Sequence, residues 1–471
     1  MALTKFEFNE ESINYFHESG LIPLNFYNKS GQILIHQKMN ATENEINALM
    51  KFREQGIYYQ DTDAHKLTKP KRSIPEGLTD TKLLSEETTN TLVHDFSTIF
   101  DELKNSSLSS ISAKKMKNTV NEIFTKFEKQ PDAMTGLVNI LELMNTGSVD
   151  YQLQIAIKRT VVAMALKTRG MTHQGHKETE YLAASMNNLM VSCMLCDISY
   201  LKMNMPAGSD ITATEMQYVK NHPMISYLMI AHEESIDPAV KRNVLLHHRP
   251  AVSDSTSNNY PSRNSIYQKL AALHQEYSKN PEKRSITQAI ARTLTDLKQD
   301  IKYDEDANIL ALASEFASLT TDVPWRKAFH PVRASKMILN NSFFTYSWRV
   351  VREFLDLVAI SLCDNQMVLH EGDFVIITLD TSSGNPYFEI CRIIEISRLQ
   401  SRPSIERIGS VDLKIIKEPK LSLGGFDPKN IVLDKRNAKY HLENDLTRRM
   451  IYVVDKDINP DLYNYLSEKM K

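Results

Sequence analysis

The fold of this chain depends on the stretch Leu189-Met190-Val191-Ser192-Cys193-Met194-Leu195, which Cys196 and Asp197 follow directly. The stretch is apolar nearly all round a helix, and this pattern predicts a buried helix at the centre of a domain. Asp197 therefore places a carboxylate at the end of a buried helix, where it needs a partner or a metal. Capping of the next turn through Ser199 is the commoner use of an aspartate at such a position.

Helical periodicity extends along the chain on both sides of this stretch. An apolar face predicts helices in a connector over residues 88–145, and a richer pattern predicts an all-helical domain over residues 146–365. One apolar stripe of that domain consists of Leu153, Ile157, Val161 and Met164. Extra helical stretches are expected at about 266–277 and 286–301.

Short strands are predicted towards both ends of the chain. Residues 21–36 give two strands around a turn, and a capped helix follows over 42–55, so residues 1–64 are expected to form a small α+β unit. Residues 65–87 contain basic residues and prolines, which favours a solvated linker. Residues 366–471 are expected to form a β-rich C-terminal module and tail, with strands predicted at 373–380, 387–396 and 450–454 and a helix from Pro460.

Composition limits the classes of function that the chain can have. Its 56 basic and 58 acidic side chains leave a formal charge of -2, which gives no general attraction for nucleic acid or an anionic membrane. No stretch approaches the ~18 apolar residues of a membrane span, and the first residues lack the apolar core of a signal peptide. The four cysteines lack zinc-finger spacing. We therefore expect a cytoplasmic protein in a reducing compartment.

A group of histidines can act together with Asp197. His222 precedes a proline, and His247 and His248 end a predicted helix. Adjacent helical residues point about 100° apart, so these two histidines would serve neighbouring metals, or one a metal and the other a phosphate. Imidazole nitrogen together with carboxylate oxygen suits Fe, Mn or Zn. Any one of these histidines alone is more often structural, but the group predicts a metal site.

The order of these landmarks resembles that of the HD-GYP family of cyclic di-GMP phosphodiesterases. Cys196-Asp197 stands where that family has its His-Asp doublet, and Asn221-His222-Pro223 resembles its next metal-binding segment. His247-His248-Arg249 is similar to the family's His-His-Glu, and Asn258-Asn259-Tyr260-Pro261 to its Gly-Tyr-Pro. Residues 313–328 look like its late aspartate helix and the Arg-Pro-Tyr-Arg segment that follows. The resemblance covers about 150–365.

This resemblance implies a multidomain, mainly α fold. A central all-helical HD-type domain would be flanked by the small α+β N-terminal unit and the β-rich C-terminal module. Several family positions differ in this chain: Gln154, or Gln152 in a shifted register, replaces a metal histidine, and other polar groups are replaced by Cys196, Tyr200 and Ser314. No residue is therefore assigned as catalytic.

The site residues that the resemblance implies fall into two groups. The expected metal ligands are Asp197, His222, His247 and His248, with Cys196 and Gln154 as further candidates. The expected ligand-binding residues are Tyr260, Pro261, Arg326 and Lys327.

Three functional hypotheses follow from this incomplete site. The preferred one is a degenerate HD-GYP-like pseudoenzyme of bacterial signalling that binds a partner and holds one divalent transition metal (Fe, Mn or Zn) or none. The alternatives are an active, metal-dependent phosphodiesterase that acts on cyclic di-GMP through substituted ligands, and a structural scaffold without nucleotide binding. The expected partners are cyclic di-GMP, a protein of unknown identity and a second copy of the chain in a homodimer, but neither nucleic acid nor a membrane.

Overall fold

A computed structural model describes residues 3–6, 16, 22, 24–30, 33–35, 41–52, 56–60, 86–105, 114–122, 150–174, 179–202, 211–250, 260–299, 304–361, 368–379, 387–396, 401–411, 431–434, 438–445, 447–456 and 459–470. They belong to two compact units, Met1–Asp80 and Thr81–Lys471. Each unit has its own apolar core.

The N-terminal unit contains a four-stranded antiparallel sheet. Its order is β1-β4-β2-β3, in which β1 is Leu3–Phe6, β2 Phe26–Tyr27, β3 Ile33–Ile35 and β4 Ile57–Gln60. The strands predicted around a turn are confirmed by β2 and β3. Two of the sheet residues, Phe26 and Ile57, are fully buried in the core of this unit.

Helix α1 of the N-terminal unit covers Glu43–Met50. Its capping box is present, because the Thr42 hydroxyl accepts from the Glu45 amide while Glu45 Oε2 accepts from the Thr42 amide at 2.8 Å. The helix ends before the predicted end at residue 55. The Phe52 amide instead donates to the Leu49 carbonyl at 3.0 Å in a tight turn.

The second unit is mainly helical. Its labelled helices in the described residues are α2 (Glu86–Asn105), α3 (Tyr151–Gln174), α4 (Thr179–Leu195), α5 (Ala213–Ile230), α6 (Pro238–Leu246), α7 (Arg263–Tyr277), α8 (Arg284–Lys298), α9 (Glu305–Leu319), α10 (Pro331–Thr345), α11 (Trp348–Ser361) and α12 (Pro460–Lys469). Residues 114–122 are also helical. Short 3-10 turns at Ile198–Lys202 and Pro281–Lys283 follow α4 and α7.

Helix α4 lies at the centre of the helical core, as its apolar sequence predicts. Every residue from Leu189 to Leu195 is buried, and α3, α6 and α9 pack against this helix. The predicted stripe of α3 faces the same core, because all of its members are buried there: Leu153, Ile157, Val161 and Met164. Full burial of one such side chain contributes about 1.5–3 kcal/mol. The packing of α3 on α4 therefore fixes the frame that positions their polar residues.

Helices α7 and α8 are the predicted extra helices. They pack against each other and share a smaller core with α5 and α6, formed around Tyr227, Leu245, Ile266, Leu270 and Ile290. The second of them ends at Lys298, three residues before the predicted limit at 301. Because α5 and α6 also carry the histidines, this helical pair borders the candidate site.

A six-stranded antiparallel sheet forms the β-rich C-terminal region. Its order is β10-β5-β6-β7-β8, with β9 also paired to β7, where β5 is Phe374–Leu379, β6 Tyr387–Glu395, β7 Ser404–Val411, β8 Ile431–Leu433, β9 Lys439–His441 and β10 Arg448–Val454. Val375 and Ile377 of β5 join the helical core, whereas Phe374 and Ile376 join a second core with α12. Burial of both faces explains why β5 is apolar along its length.

These elements confirm a mainly α, multidomain protein with a β-rich C-terminal region. The strands predicted at 373–380, 387–396 and 450–454 and the terminal helix from Pro460 are all present. The predicted linker lies outside the described residues except for its last two positions, which begin α2. Asn258 and Asn259 lie outside them as well. In the described part of the chain, no helix combines the length and the apolar character that a membrane crossing requires.

Candidate metal centre

Side chains from α3 to α6 meet beside the helical core: Arg159 from α3, Asp197 after α4, His222 from α5, and His247 and His248 after α6. Local sequence fixes the helices that carry the histidines. Thr212 and Glu215 form a capping box at the start of α5. Asp237 caps α6, and Pro238 occupies its first position.

Pro223 explains how the ring of His222 is held. A proline inside α5 lacks the N–H that would bond to the carbonyl four residues earlier, which is that of Val219. The Nδ1 atom of His222 lies 2.6 Å from this freed oxygen and donates to it. The Tyr200 hydroxyl lies 2.8 Å from the same nitrogen. The Nε2 atom of His222 is therefore the one that faces the site.

His247 is oriented in the same way at the end of α6. Its Nδ1 atom lies 2.8 Å from the carbonyl of Val244, in the last turn, where carbonyls lack partners inside the helix. A neutral imidazole that donates from Nδ1 keeps a lone pair on Nε2. His222 and His247 therefore both present an Nε2 lone pair to the site. Backbone hydrogen bonds of this kind orient histidines that bind metals.

Three acceptor atoms converge between α4, α5 and α6. The Nε2 atoms of His222 and His247 are 3.0 Å apart. Asp197 Oδ1 lies 3.0 Å from Nε2 of His222 and 3.8 Å from Nε2 of His247. Ligands of one tetrahedral Zn²⁺, at bond lengths of about 2.0–2.1 Å, stand about 3.3 Å apart. The three atoms thus have the spacing of ligands that share one ion.

His248 borders this group on the side of Tyr260. Its ligand atom lies within 4.8 Å of those of the other two histidines. Its ring stacks on Tyr260, with centroids 3.7 Å apart and planes inclined by 10°. Arg249 is buried and holds the tyrosine in place by donating to the Tyr260 carbonyl and, at 2.9 Å, to the Pro261 carbonyl. Arg249 therefore anchors the Tyr-Pro segment beside the histidines.

Arg159 supplies a positive charge that the sequence analysis missed. Its side chain is 2% exposed, and it donates to Asp197 Oδ2 and, at 3.0 Å, to the Cys193 carbonyl. The two oxygens of Asp197 thus have different partners, because Oδ1 faces the histidines and Oδ2 faces the guanidinium. The available signal was an arginine between Ile157 and Val161, within the apolar region of α3.

The charge states of the site follow from its burial. Burial alone would raise the pKa of Asp197, but the Arg159 charge outweighs it and holds that pKa well below its ordinary value. Burial and the neighbouring His222 lower the pKa of His247 to about 3. Burial and the neighbouring His247 lower the pKa of His248. At neutral pH the carboxylate is therefore ionised and balanced by Arg159, and His247 and His248 are neutral.

The further metal candidates have contacts of other kinds. The Cys196 thiol lies 2.9 Å from the Ser192 carbonyl, and burial raises its pKa well above the usual value, so it is a protonated, packed side chain. Gln152 donates to the Tyr200 carbonyl at 3.4 Å, at the border of the site. Gln154 lies in the first turn of α3 with its side chain partly buried.

The two cations that were expected to bind a ligand, Arg326 and Lys327, make their contacts near the end of α9. Arg326 donates to the Leu319 carbonyl at 3.0 Å and to the Ser318 carbonyl at 2.6 Å, so it satisfies acceptors at the end of this helix. Lys327 is exposed and pairs with Asp322 at 3.3 Å. The contacts within the described residues do not bring Arg326 or Lys327 to the histidines. Tyr260 and Pro261, by contrast, lie beside them.

A cleft opens next to His248. Its lining consists of Lys220, Asn221, Pro223, Met224, Leu245, His248, Arg249, Tyr260, Pro261, Ile266 and Lys269. Lys269 donates to the Asn221 side-chain oxygen at 2.8 Å, which places an ammonium and an amide on the same wall. The accessible lining is mostly apolar, and it contains the side chains of Lys220 and Lys269 and no carboxylate.

Comparisons with known proteins complete the description of this site. The chain is similar in structure to Bd1817, a HDG"Y"P protein from Bdellovibrio bacteriovorus, with a TM-score of 0.39 and 10% sequence identity. The match covers 72% of this chain and 95% of that chain. No protein-family model matches the sequence, and no curated protein matches it. Function is therefore inferred from the residues of the site.

Proposed function

We propose that this chain is an HD-GYP-like protein that binds one divalent transition metal and acts in signalling without hydrolysing cyclic di-GMP. The order of landmarks from Asp197 to Pro261 supports the HD-GYP relationship. The observation that carries the rest is the contact of Arg159 with Asp197 Oδ2. This contact leaves Asp197 one oxygen for a metal.

One metal fits the donor set. The ligands would be Asp197 Oδ1 and the Nε2 atoms of His222 and His247, and His248 stands near enough to act as a fourth. Nitrogen and carboxylate ligands of this kind suit Fe, Mn or Zn. A metal bound there would act as a Lewis acid toward an oxygen ligand. It would also relieve the repulsion between the facing lone pairs of the two histidines.

A second metal does not fit beside the first. Hydrolysis by a metal pair relies on ions about 3.5–4 Å apart that stabilise both the attacking and the leaving oxygen. A second ion at Asp197 would compete with the Arg159 guanidinium for Oδ2, and the two positive charges would repel each other. Among the described residues, Asp197 is the one carboxylate within 4.0 Å of a nitrogen of His222 or His247. Two dications would therefore share a single counter-charge.

The proposed role is that of a receptor for a phosphate-bearing ligand. The cleft beside His248 supports this role, because its two lysines can attract phosphate and Tyr260 offers an aromatic wall. Cyclic di-GMP is the ligand that the sequence resemblance favours.

Metal content and turnover of cyclic di-GMP test the proposal together. The protein is stripped with a chelator, reloaded anaerobically with Fe(II) or Mn(II), and assayed in parallel with two variants. We expect about one metal per chain and no turnover in the wild type. The double variant His247→Ala, His248→Ala should lose the metal, and His232→Ala, which removes an exposed histidine, should retain it.

The other outcomes assign the other functions. Metal-dependent turnover that disappears in the double variant would overturn the non-catalytic role and indicate an active phosphodiesterase. A wild type that binds neither metal nor cyclic di-GMP, with a double variant that loses only stability, would indicate a structural scaffold.

A further inference from the structure

The site has a charge balance that a metal would disturb. Arg159 and Asp197 together carry no net charge, and imidazoles that hold a metal through Nε2, as His222 and His247 would, add no negative charge. The side chains of Arg159 and His222 are each 2% exposed, so little water screens the charges. A dication at Asp197 Oδ1 therefore adds two positive charges near a carboxylate that the guanidinium already neutralises.

An anion would restore this balance, and the cleft beside His248 gives it an approach. His248 both lines the cleft and belongs to the group of histidines around the metal position. Lys220 and Lys269 lie in the same lining and attract anions into it. An anionic oxygen that passes His248 would complete the coordination of the metal. It would also supply the negative charge that the protein side chains lack.

We propose that metal and anion bind this site together: Arg159 keeps the affinity for a divalent metal low until an oxyanion of the phosphate class enters the cleft beside His248. The inference rests on the proposed metal site and adds a condition for its occupancy. Coupling between two ligands is reciprocal, so the metal raises the affinity for phosphate by the same factor. The site then responds to the coincidence of a metal and a phosphate-bearing ligand.

Binding of Mn(II) to the full chain, stripped of metal with a chelator, tests the coupling. Free Mn(II) is measured by its electron paramagnetic resonance signal with and without inorganic phosphate, and the complex of Mn(II) with phosphate is measured separately without protein. We expect phosphate to lower the apparent Kd for Mn(II) about tenfold. An unchanged Kd would overturn the inference and leave the metal site in place. No Mn(II) binding in either buffer would overturn the proposed metal site itself.

Variants of Arg159 separate its charge from its packing. Arg159→Gln should bind Mn(II) about tenfold more tightly than the wild type in phosphate-free buffer, and phosphate should then change the Kd less than about threefold. Arg159→Lys keeps the charge and should keep the dependence on phosphate. Equal Mn(II) affinities of Arg159→Gln and the wild type in phosphate-free buffer would overturn the role of the charge.

The cleft provides a second test if Arg159→Gln does not fold. The double variant Lys220→Gln, Lys269→Gln removes the two lysines of the lining and leaves Arg249, which already donates to the Tyr260 and Pro261 carbonyls. We expect phosphate to lose most of its effect on the Kd for Mn(II) in this variant. Lys279→Gln is the matched control, because this lysine lies in the turn between α7 and α8 and does not line the cleft. A phosphate effect that persists in the double variant would overturn the cleft as the site of the anion.

Discussion

The ion pair of Arg159 with Asp197 is unequally exposed, since the side chain of the arginine is 2% exposed and that of the aspartate 22%. Asp197→Asn removes the counter-charge and leaves the guanidinium uncompensated in the core. Breaking a buried pair in this way costs about 3–5 kcal/mol. We therefore expect a loss of about this size in the free energy of unfolding, measured by urea denaturation of metal-free protein.

Asp322→Asn is the matched control for this prediction. Asp322 pairs with Lys327 on the surface, where an ion pair contributes about 0–1 kcal/mol. Losses of equal size in the two variants would show that Arg159 does not depend on Asp197 for its stability in the core.

Pro223 positions His222, and its replacement should change stability and metal affinity in opposite directions. In Pro223→Ala a new N–H competes with His222 for the Val219 carbonyl. A proline inside a helix costs about 3 kcal/mol relative to alanine, so stability should rise by about 1 kcal/mol after the loss of the buried ring is subtracted. Mn(II) affinity should fall about tenfold because the imidazole is less restrained. Urea denaturation and Mn(II) titration measure the two effects, and a gain in stability with unchanged affinity would contradict the role.

Among the strands, β7 depends on the absence of a side chain at Gly409. A Cβ atom there would lie 2.5 Å from the Val432 carbonyl oxygen of β8, so Gly409→Ala must push the paired strands apart. We expect a loss of about 1–3 kcal/mol in the free energy of unfolding, together with faster hydrogen exchange in β8. Ser410→Ala, at the next position of β7, should change stability by about 0.5 kcal/mol or less. A Gly409→Ala variant as stable as this control would mean that the strands can separate without cost.

Elements that depend on nearby residues could be predicted from the sequence. The apolar run of α4, the capping box before α1 and the strands β5 and β6 each follow from a local pattern. Arg159 could not be interpreted in this way, because its partner Asp197 lies 38 residues later on another element. A charged residue in an apolar helix indicates that a partner exists. The packing of α3 on α4 decides which residue that partner is.

The histidines were predictable in part. Their residue types and their order indicate a metal site, but the nitrogen that faces it depends on the backbone carbonyls of Val219 and Val244. Arg326 was predicted to bind phosphate because of its charge. In the structure its guanidinium donates to backbone carbonyls at the end of α9. Helix ends leave unpaired carbonyls that compete for any nearby donor. The role of Arg326 in ligand binding stays a prediction.

Across the unit Thr81–Lys471, the helices and the C-terminal sheet share one apolar core. Val375 and Ile377 of β5 belong to the same buried cluster as Leu189 of α4, and Cys193 and Cys196 beside the site belong to it too. Unfolding of the helices around the site would therefore also expose apolar side chains that pack in the same cluster as the sheet. Such sharing favours cooperative unfolding, so protonation at the site is expected to appear as a change in the stability of the unit.

The buried histidines predict how that stability depends on pH in metal-free protein. Burial lowers the pKa of His247 to about 3 and also lowers that of His248, whereas a histidine in the unfolded chain titrates near about 6.5. Below that pH the unfolded chain binds more protons than the folded one, so the free energy of unfolding falls as the pH falls. The stability is complete above about pH 6.5, and each histidine removes up to about 1.4 kcal/mol per pH unit below it.

Urea denaturation at intervals from pH 7.5 to pH 5, with a chelator present, measures this slope. Asp197 adds nothing in that range, because its lowered pKa makes stability depend on pH only below the unfolded value of about 3.9. The double variant His247→Gln, His248→Gln should show a much smaller slope, and His232→Gln, which replaces an exposed histidine, should retain that of the wild type. Equal slopes in the wild type and the double variant would mean that the two rings take up protons in the folded protein as readily as in the unfolded chain. Burial would then not keep the imidazole rings of His247 and His248 neutral. The two histidines would in that case not be ready to bind a metal at neutral pH.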